Sequence, residues 1–312
     1  MALKDIKNKI KSIERTRKVT KAMEAVSAVK MRKSQVRALT ARPYASSALS
    51  ILERMSVSLS TLKHPLTENR TIKHVAVVVV TSDKGLCGVL NSAVLKEASR
   101  VIQGVSLDKE AIFIYAFGRK GADFFARRNY QVAERFENVS DDVSIADLTK
   151  ISTDIATAFS EKKFDAVYVV YTNFKSTFEQ KALSHRVLPL SLETISAMVE
   201  GIIPKKGKYS ENAEMKGLRN LSSGPAHYTV EPSLELVLET LIPHLVSVLF
   251  FHALLESKAS EHSARMVAMK NASDKSLERS KFLTRTFNKA RQAAITREVS
   301  EIVGGIEAMA VD

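Results

Sequence analysis

Two long stretches of this 312-residue chain contain neither glycine nor proline, the residues that most often end a helix. They run over residues 1–42 and 244–303. At a rise of about 1.5 Å per residue, uninterrupted helices there would extend roughly 60 and 90 Å. A compact domain of this size is only roughly 40 to 50 Å across. We therefore expect both helices to extend beyond any globular domain, as a shaft or stalk does.

Other absences narrow the class of protein. Tryptophan is missing and aromatic residues make up only 6% of the chain, which suits long helices packed through small and aliphatic side chains. The single cysteine, Cys87, excludes an internal disulfide and fits a reducing compartment. No uninterrupted apolar run approaches the roughly 18 residues that span a bilayer. We expect no membrane span and, because the first helix begins charged, no secretory signal.

Recognisable active-site motifs are also missing. The loop Ser82–Gly88 follows a predicted strand, but its glycines fit neither dinucleotide-binding nor P-loop spacing, which favours a tight strand-to-helix turn. The seven histidines form no pair with metal-ligand spacing. We interpret Asp141 and Asp142 as a helix cap and Cys87 as an inert, partly buried thiol. The sequence predicts no catalytic, cofactor or metal site, so any chemistry lies in a partner.

Positive charge is concentrated at the N-terminus. The chain carries a net charge of +13, and residues 1–42 hold thirteen Lys and Arg against three acids. A basic helix of this kind fits nucleic acid, anionic lipid or an acidic protein surface, or it is simply a solvated face. The composition alone leaves these alternatives open.

Both terminal helices carry narrow apolar stripes. The N-terminal stripe predicts a two-helix seam and is followed by Pro43, which predicts a kink or restart before the helix ends near Leu62. The C-terminal ladder has small and partly polar positions, and beyond it the helix tip is apolar. We expect the two helices to pack antiparallel, with the tip projecting alone toward a socket. The N-terminal stripe comprises Ile6, Ile10, Ile13, Val19, Met23, Val26 and Val29. The ladder comprises His252, Leu255, Ala259, His262, Met266, Met269, Ser273, Ser276, Ser280, Leu283, Phe287, Ala290 and Ala294. The tip comprises Ile295, Val299, Ile302, Val303, Ile306 and Met309.

Between the helices, strand and helix patterns alternate. Continuous β-branched or apolar runs predict strands, and the alternation predicts an open α/β sheet with helices on its faces. The polar segment 203–226 is predicted to be an exposed loop, 228–230 an edge strand, and Pro232 the start of the last helix. The predicted fold is α/β, with a long antiparallel coiled coil of N- and C-terminal helices flanking a Rossmann-like open α/β domain. Its predicted parts are 1–62, 70–230 and 231–312. The predicted strands are 74–81, 111–117, 165–172 and 180–190, with helices at 89–102, 121–128 and 145–162.

Several segments carry a family resemblance. They are KVTKAM at 18–23, MRKSQ at 31–35, GLCG at 85–88, ASEHSARMVAMK at 259–270, NKARQAAITRE at 288–298 and EIV at 301–303. Together these segments resemble the gamma subunit of F-type ATP synthases, over nearly the whole chain. The resemblance implies a rotor: a coiled coil inside the hexamer of alpha and beta subunits, with a globular foot on the ring of c subunits beside the epsilon subunit. Proton flow turns the ring and this shaft, and the beta subunits perform the phosphoryl chemistry, so the chain itself is not expected to be an enzyme.

The same resemblance implies roles for particular residues. Met23 and Arg265 match positions where the shaft meets the moving lobe of a beta subunit. Near the top of the hexamer, the family couples rotation to catalysis at positions matching Gln292, Thr296 and Glu298. For the contact with the c ring, our choice is His227 with Tyr228. The implied setting is the cytoplasmic face of a bacterial inner membrane, as a peripheral subunit.

The chain departs from the family pattern at three places. Lys84 replaces the usual arginine before the GLCG segment, Phe287 replaces a common tyrosine, and the polar stretch 205–223 is long. The cysteine-bearing insert of chloroplast relatives is absent. One rival hypothesis is a basic coiled-coil nucleic-acid-binding protein with an α/β dimerisation domain. A second is a small-molecule enzyme using the sheet's switch point, for which the sequence offers no acid, base or nucleophile.

Overall fold

The computed structural model describes residues 3–59, 64–141, 145–191 and 233–309. The chain forms two compact units. One is helical and consists of Met1–Ser27 with Met266–Asp312, and the other is Ala28–Arg265. The predicted loop at 203–226 and the predicted strand at 228–230 lie outside the described residues.

The terminal helices are as long as the absence of glycine and proline indicates. Helix α1 is Leu3–Leu59, 57 residues, and it continues through Pro43, so the predicted restart there is wrong. The C-terminal helix, which we number α5, is Leu234–Met309, 76 residues. Ser233 caps it, because its Oγ accepts a hydrogen bond from the Leu236 N–H at 3.3 Å. The helix therefore begins two residues after Pro232, the predicted start, and Pro232 itself lies outside the described residues.

In the helical unit, residues 3–27 of α1 pair antiparallel with the later part of α5. The residues of the C-terminal ladder are all buried or half-buried, here and in the second unit, so that prediction is confirmed. The buried side chains of the helical unit are mostly small. They are Ile6, Thr20 and Ser27 on α1, and Met269, Ser273, Ser280 and Leu283 on α5.

The stripe predicted for α1 is only partly correct. Ile6 is buried, but Val19, Val26 and Val29 are 56 to 59% exposed. The buried positions instead keep a strict seven-residue period from Ile6 through Thr20 to Ser27, which is the period of a coiled-coil seam. A buried hydroxyl is tolerated there because Thr20 Oγ1 donates to the Thr16 carbonyl at 3.0 Å within its own helix.

The second unit contains a five-stranded sheet in the order β3-β2-β1-β4-β5. Strands β1 to β4 are parallel, and β5 pairs antiparallel with β4 at the edge. The strands are β1 Val75–Val80, β2 Ile112–Phe117, β3 Gln131–Phe136, β4 Ala166–Phe174 and β5 Gln180–Leu188. The helices between them are α2 Leu90–Val105, α3 Arg119–Ala126 and α4 Ile145–Ser160.

Helices cover both faces of the sheet. Every residue of β1 is buried, and its side chains alternate between two hydrophobic clusters, as expected for a parallel strand covered on both faces. One cluster joins the sheet to α2 and α3. The other joins it to α4 and to residues 242–254 of α5. The first half of α5 is thus a core helix of the α/β domain. Its most apolar part has a mean hydropathy of 1.2 over 18 residues, long enough to cross a membrane, but 72% of that window is buried in the fold.

Strand β3 is absent from the sequence-based prediction. Its residues, QVAERF, are mostly exposed, and charged side chains interrupt any continuous apolar run. A short edge strand of this kind is recognised by its pairing with β2 rather than by its own composition.

Gly118 lies where the loops after β1 and β2 meet. Its φ is +89°, and a Cβ at this position would overlap the carbonyl oxygen of Thr81. The close approach allows Thr81 Oγ1 to accept a hydrogen bond from the Gly121 N–H at 2.8 Å. Only glycine satisfies both the backbone conformation and the space.

We predict that Gly118→Ala lowers the free energy of unfolding by about 2 to 3 kcal/mol, because the added Cβ meets fixed backbone at a positive φ. Gly104→Ala is the matched control, since Gly104 lies in α2 with nothing within 4 Å of an added Cβ. That control should gain about 0.5 to 1 kcal/mol from helix propensity. Urea unfolding of the full chain measures both, and equal stability of the two variants would contradict the assignment.

Candidate functional site: the carboxyl edge of the sheet

The sheet has the crevice at which open α/β proteins bind ligands. From β1 the chain adds β2 and β3 on one side and β4 on the other, so the carboxyl ends of β1 and β4 form a topological switch point. Ligands of such folds bind outside the carboxyl ends of the strands at this point. A functional site is therefore first sought here.

In this chain α5 occupies the crevice. Ser257 Oγ accepts a hydrogen bond from the Thr172 N–H at 3.0 Å, and Ser260 Oγ donates to the Thr172 carbonyl at 3.3 Å. The Glu256 carboxylate accepts from the Phe174 N–H at 2.8 Å. Glu256, Ser257 and Ser260 are all buried. The polar face of the helix thus satisfies the backbone groups at the end of β4, where a ligand would otherwise bind.

One turn further on, α5 binds two more loops. Ser263 Oγ donates to the Thr177 carbonyl at 2.8 Å, in the turn between β4 and β5. The Arg265 guanidinium donates to the carbonyls of Lys84 at 3.1 Å and Gly85 at 3.4 Å, in the loop after β1. An ion pair with Glu261 at 2.7 Å keeps the buried guanidinium charge neutralised. Two segments that carry the family resemblance, GLCG and ASEHSARMVAMK, are therefore in direct contact.

Side chains also fix the loop after β1 from within. Asn91 Nδ2 donates to Ser82 Oγ at 2.7 Å and to the Cys87 sulfur at 3.3 Å, while Asn91 Oδ1 accepts from the Ser82 N–H at 3.0 Å. Cys87 is buried, more fully than the partly buried thiol that the sequence predicts. Leu86 and Val89 point outward, at 62% and 78% exposure. The loop is a structured turn that presents apolar side chains, and Asn91 is the residue that organises it.

Asp141 is the centre of a charged cluster that the sequence did not reveal. Its carboxylate contacts Lys30 Nζ at 2.8 Å and His262 Nε2 at 2.9 Å, and Lys258 Nζ lies 3.8 Å away. Arg37 donates to its backbone carbonyl. The hydrogen bond with His262 is the largest cause of the lowered pKa of Asp141, and the hydrogen bond with Lys30 and the nearby charge of Lys258 lower it further. Against the opposing effect of burial, they hold the pKa of Asp141 well below its usual range.

From the sequence, Asp141 is interpreted as a cap of the next helix. Its carboxylate instead contacts α1 and α5, so that interpretation is incomplete. Asp142 lies outside the described residues. The nearest sequence signal was His262, one of the two histidines on the C-terminal ladder. Its partner lies 121 residues away along the chain, a separation that no local pattern reveals.

Five of the seven predicted site residues lie on the terminal helices. In the helical unit Met23 is half-buried, and Gln292, Thr296 and Glu298 are exposed. Gln292 and Thr296 are one turn apart on one side of α5, whereas Glu298 lies two residues further and so points to roughly the opposite side. Arg265 is buried in the second unit, and His227 with Tyr228 lies outside the described residues.

Over the ranges that the structure describes, no group of three or more His, Cys, Asp or Glu side chains is arranged to hold a metal ion. The contacts at the carboxyl edge join the loops after β1, β3 and β4 to a single helix, α5. The fold and this filled crevice define a class of protein in which an α/β sheet domain is bound to a long terminal helix through the edge that elsewhere binds ligands.

Comparison with known proteins identifies the family. A family model described as ATP synthase matches residues 2–309. The ATP synthase gamma chain of Pelotomaculum thermopropionicum is 37% identical over 308 residues, covering 99% of both chains. That of Cupriavidus necator is 38% identical over 312 residues, covering 98% of this chain and 99% of the relative. The chain belongs to the family of ATP synthase gamma chains.

Solved structures agree with this assignment. A chain from the Tetrahymena thermophila mitochondrial ATP synthase, in a structure described as central stalk and c ring, superposes with a TM-score of 0.59 at 26% identity. It covers 82% of this chain and 99% of its own length. A chain of the Euglena gracilis mitochondrial ATP synthase gives a TM-score of 0.64 at 19% identity, covering 98% and 94%, and shows the same fold. The predicted family and fold class are confirmed, and the nucleic-acid-binding alternative is not supported.

We predict that Ser257→Ala lowers the free energy of unfolding by about 1 to 3 kcal/mol, because it leaves the buried Thr172 N–H without its acceptor. Ser160→Ala is the control, since Ser160 is exposed and its hydroxyl bonds a carbonyl of its own helix. The control should change stability by less than about 0.5 kcal/mol. Equal effects in chemical denaturation would contradict the contact between α5 and β4.

A pH dependence follows from Asp141. A carboxyl whose pKa is lower in the folded than in the unfolded chain stabilises the fold above its unfolded pKa, near the ordinary value of 3.8, and loses this effect as the pH falls. We predict that wild type is more stable than Asp141→Asn at pH 7 and that the gap narrows below about pH 4, by at most about 1.4 kcal/mol per pH unit.

Asp123→Asn is the control for this titration. It removes an exposed carboxylate whose ion pair with Arg135 spans 3.9 Å. Denaturant unfolding at pH 7, 5 and 3 measures all three proteins. A gap for Asp141→Asn that is constant over this range, or no larger than that of the control, would show that the carboxylate is not specifically stabilised.

Proposed function

We propose that this chain is the central-stalk rotor of an F-type ATP synthase, coupling proton-driven rotation of the c ring to ATP synthesis and hydrolysis in the beta subunits. Membership of the gamma chain family supports the role. The single structural observation that carries it is α5, one uninterrupted helix whose residues 242–265 form the core and edge of the α/β domain. The same helix ends in exposed apolar side chains. Helix α5 thus belongs both to the α/β domain, which receives rotation from the c ring, and to the helical unit, which transmits that rotation to the hexamer.

Alpha and beta subunits, the epsilon subunit and the c ring are the proposed partners. The exposed apolar tip of α5 supports a socket in the hexamer, since large apolar side chains such as Ile302 and Ile306 are about 60% exposed in the chain alone. Exposed Val19 and Val26, on a helix rich in basic residues, give α1 a second face for a partner of mixed apolar and acidic character. The α/β domain is the proposed contact with the c ring and the epsilon subunit.

Individual contact residues remain proposals. Exposed Gln292 and Thr296 share one side of α5 and are proposed to contact one beta subunit at a time, with Glu298 directed elsewhere. Met23 is proposed to contact the moving lobe of a beta subunit. Buried Arg265 reaches that lobe through the loop it fixes, by presenting Leu86 rather than by its own guanidinium. His227 and Tyr228 stay our choice for the ring contact.

The chain is proposed to be non-catalytic within the complex, with phosphoryl transfer confined to the beta subunits. The support is the sheet's switch point, where α5 takes the space and the backbone hydrogen bonds that a nucleotide would need. As part of the membrane-associated F1 sector, it is proposed to act at the cytoplasmic face of a bacterial inner membrane as a peripheral subunit.

Affinity purification of a tagged full-length chain from membranes tests this function. We expect alpha, beta and epsilon subunits to co-purify, together with ATP hydrolysis that the tagged chain alone does not show. Recovery of the chain without these subunits, in a preparation in which the ATP synthase is otherwise intact, would contradict the proposal.

Removal of all residues after Ile295 tests the role of the tip. The truncated chain should still fold its α/β domain. The ratio of ATP-driven proton pumping to ATP hydrolysis should fall, because the apolar side chains of the tip no longer occupy the proposed socket in the hexamer. Pumping in membrane vesicles and circular dichroism measure the two properties. If the truncation instead removes the β-sheet signal, the separation between shaft and domain is wrong.

A further inference from the structure

We propose that Asp141 joins the α/β sheet to both long helices and transmits torque between them. The cluster of Lys30, Arg37, Asp141, Lys258 and His262 is called the Asp141 clasp. This inference rests on the proposed rotor function and adds to it the residue at which the sheet holds the helices together. All five residues lie within the unit Ala28–Arg265.

The clasp joins three elements that are far apart in sequence. Asp141 ends the described loop after β3, Lys30 and Arg37 belong to α1, and Lys258 and His262 belong to α5. The loop contacts both helices at once, because Asp141 binds Lys30 at 2.8 Å and His262 at 2.9 Å. A second contact reinforces the α5 side: Lys258 Nζ donates to the Val139 carbonyl at 2.8 Å. Loss of Asp141 would remove the ionic contact on both sides.

On its α5 side, burial separates the clasp from ordinary surface ion pairs, which contribute little to stability. On its α1 side, the side chain of Lys30 is 50% exposed. The side chain of His262 is 5% exposed, that of Lys258 15% and that of Asp141 30%. The carboxylate lies beside two lysines, Lys30 of α1 and Lys258 of α5, and beside His262. Its removal therefore takes away the negative charge that lies between two positive charges on different helices. By contrast, the pairs Lys275–Glu278 and Arg297–Glu301 of α5 are exposed and local to one helix.

Its position suits the transmission of torque. The contacts of Glu256, Ser257, Ser260 and Arg265 attach the sheet to α5 alone. If the sheet turns under load, α1 turns with it only through contacts that join the two. Lys30 and Arg37 of α1 provide such contacts, because Lys30 forms an ion pair with Asp141 and Arg37 donates a hydrogen bond to its carbonyl. Charge-assisted hydrogen bonds of good geometry resist such displacement better than neutral ones.

The test uses the complete ATP synthase carrying this chain, in inverted membrane vesicles. ATP hydrolysis and ATP-driven proton pumping are measured for wild type, Asp141→Asn and the control Asp123→Asn, with and without an uncoupler that removes the load. We expect Asp141→Asn to lower the pumping-to-hydrolysis ratio at least about twofold under load. The reason is that loss of charge-assisted bonds raises the fraction of open clasps roughly tenfold. Hydrolysis without load should stay near wild type.

The outcomes separate the alternatives. A ratio that falls under load for Asp141→Asn but not for Asp123→Asn supports the clasp, and equal ratios in all three proteins overturn it. A merely structural defect would lower the uncoupled hydrolysis of the assembled complex and leave the loaded ratio at the wild-type value, and that result also overturns the proposal. Should Asp141→Asn fail to assemble, the same measurements on Lys30→Gln decide by the same outcomes. This variant removes only the ion pair on the α1 side of the clasp. If wild type itself neither assembles nor pumps, the rotor function fails, independently of the clasp.

Discussion

The polar face of α5 on the carboxyl edge of the sheet is the interaction on which the rest of the structure depends. A parallel sheet ends in backbone N–H and carbonyl groups that need partners, and in most α/β proteins loops, water and ligand supply them. Here Glu256, Ser257 and Ser260 supply them for β4, and Arg265 for the loop after β1. The edge at which other α/β proteins bind ligands is thereby attached to α5.

The same helix changes character along its length for physical reasons. Over residues 242–254 it is apolar because it packs against the sheet and α4. Over 256–265 it is polar because it meets strand ends and loops. In the helical unit two of the four buried positions among its described residues are serines, Ser273 and Ser280, which lets two helices approach closely there without the strong interlocking of leucine seams. At the tip it is exposed and apolar, which requires a partner.

Much of this could be predicted from the sequence, and the failures have identifiable causes. The buried strands, the helices between them, the C-terminal ladder and the tip all show local periodicity. Strand β3 was missed because its pairing, not its composition, makes it a strand. The α1 seam was partly misplaced because the prediction followed the apolar residues Val19 and Val26, whereas the buried seven-residue period runs through the polar residues Thr20 and Ser27.

The site was harder to predict than the fold. The two motif segments around Gly85 and Arg265 were recognised from the sequence. These residues are 180 positions apart, however, and their contact follows only from the topology. Asn91 and Asp141 act through partners that local patterns do not indicate. Filling of the switch point by α5 could not be foreseen, since it depends on the path of a helix that begins after the last strand.

Rotation of the domain relative to an immobilised hexamer tests the central claim most directly. Phe178 is 82% exposed in the turn between β4 and β5, so Phe178→Cys offers a labelling site, while native Cys87 is buried. With the alpha and beta subunits fixed to a surface, a bead attached there should turn continuously in one direction when ATP is added. A bead that stays still while the same complexes hydrolyse ATP would contradict the account.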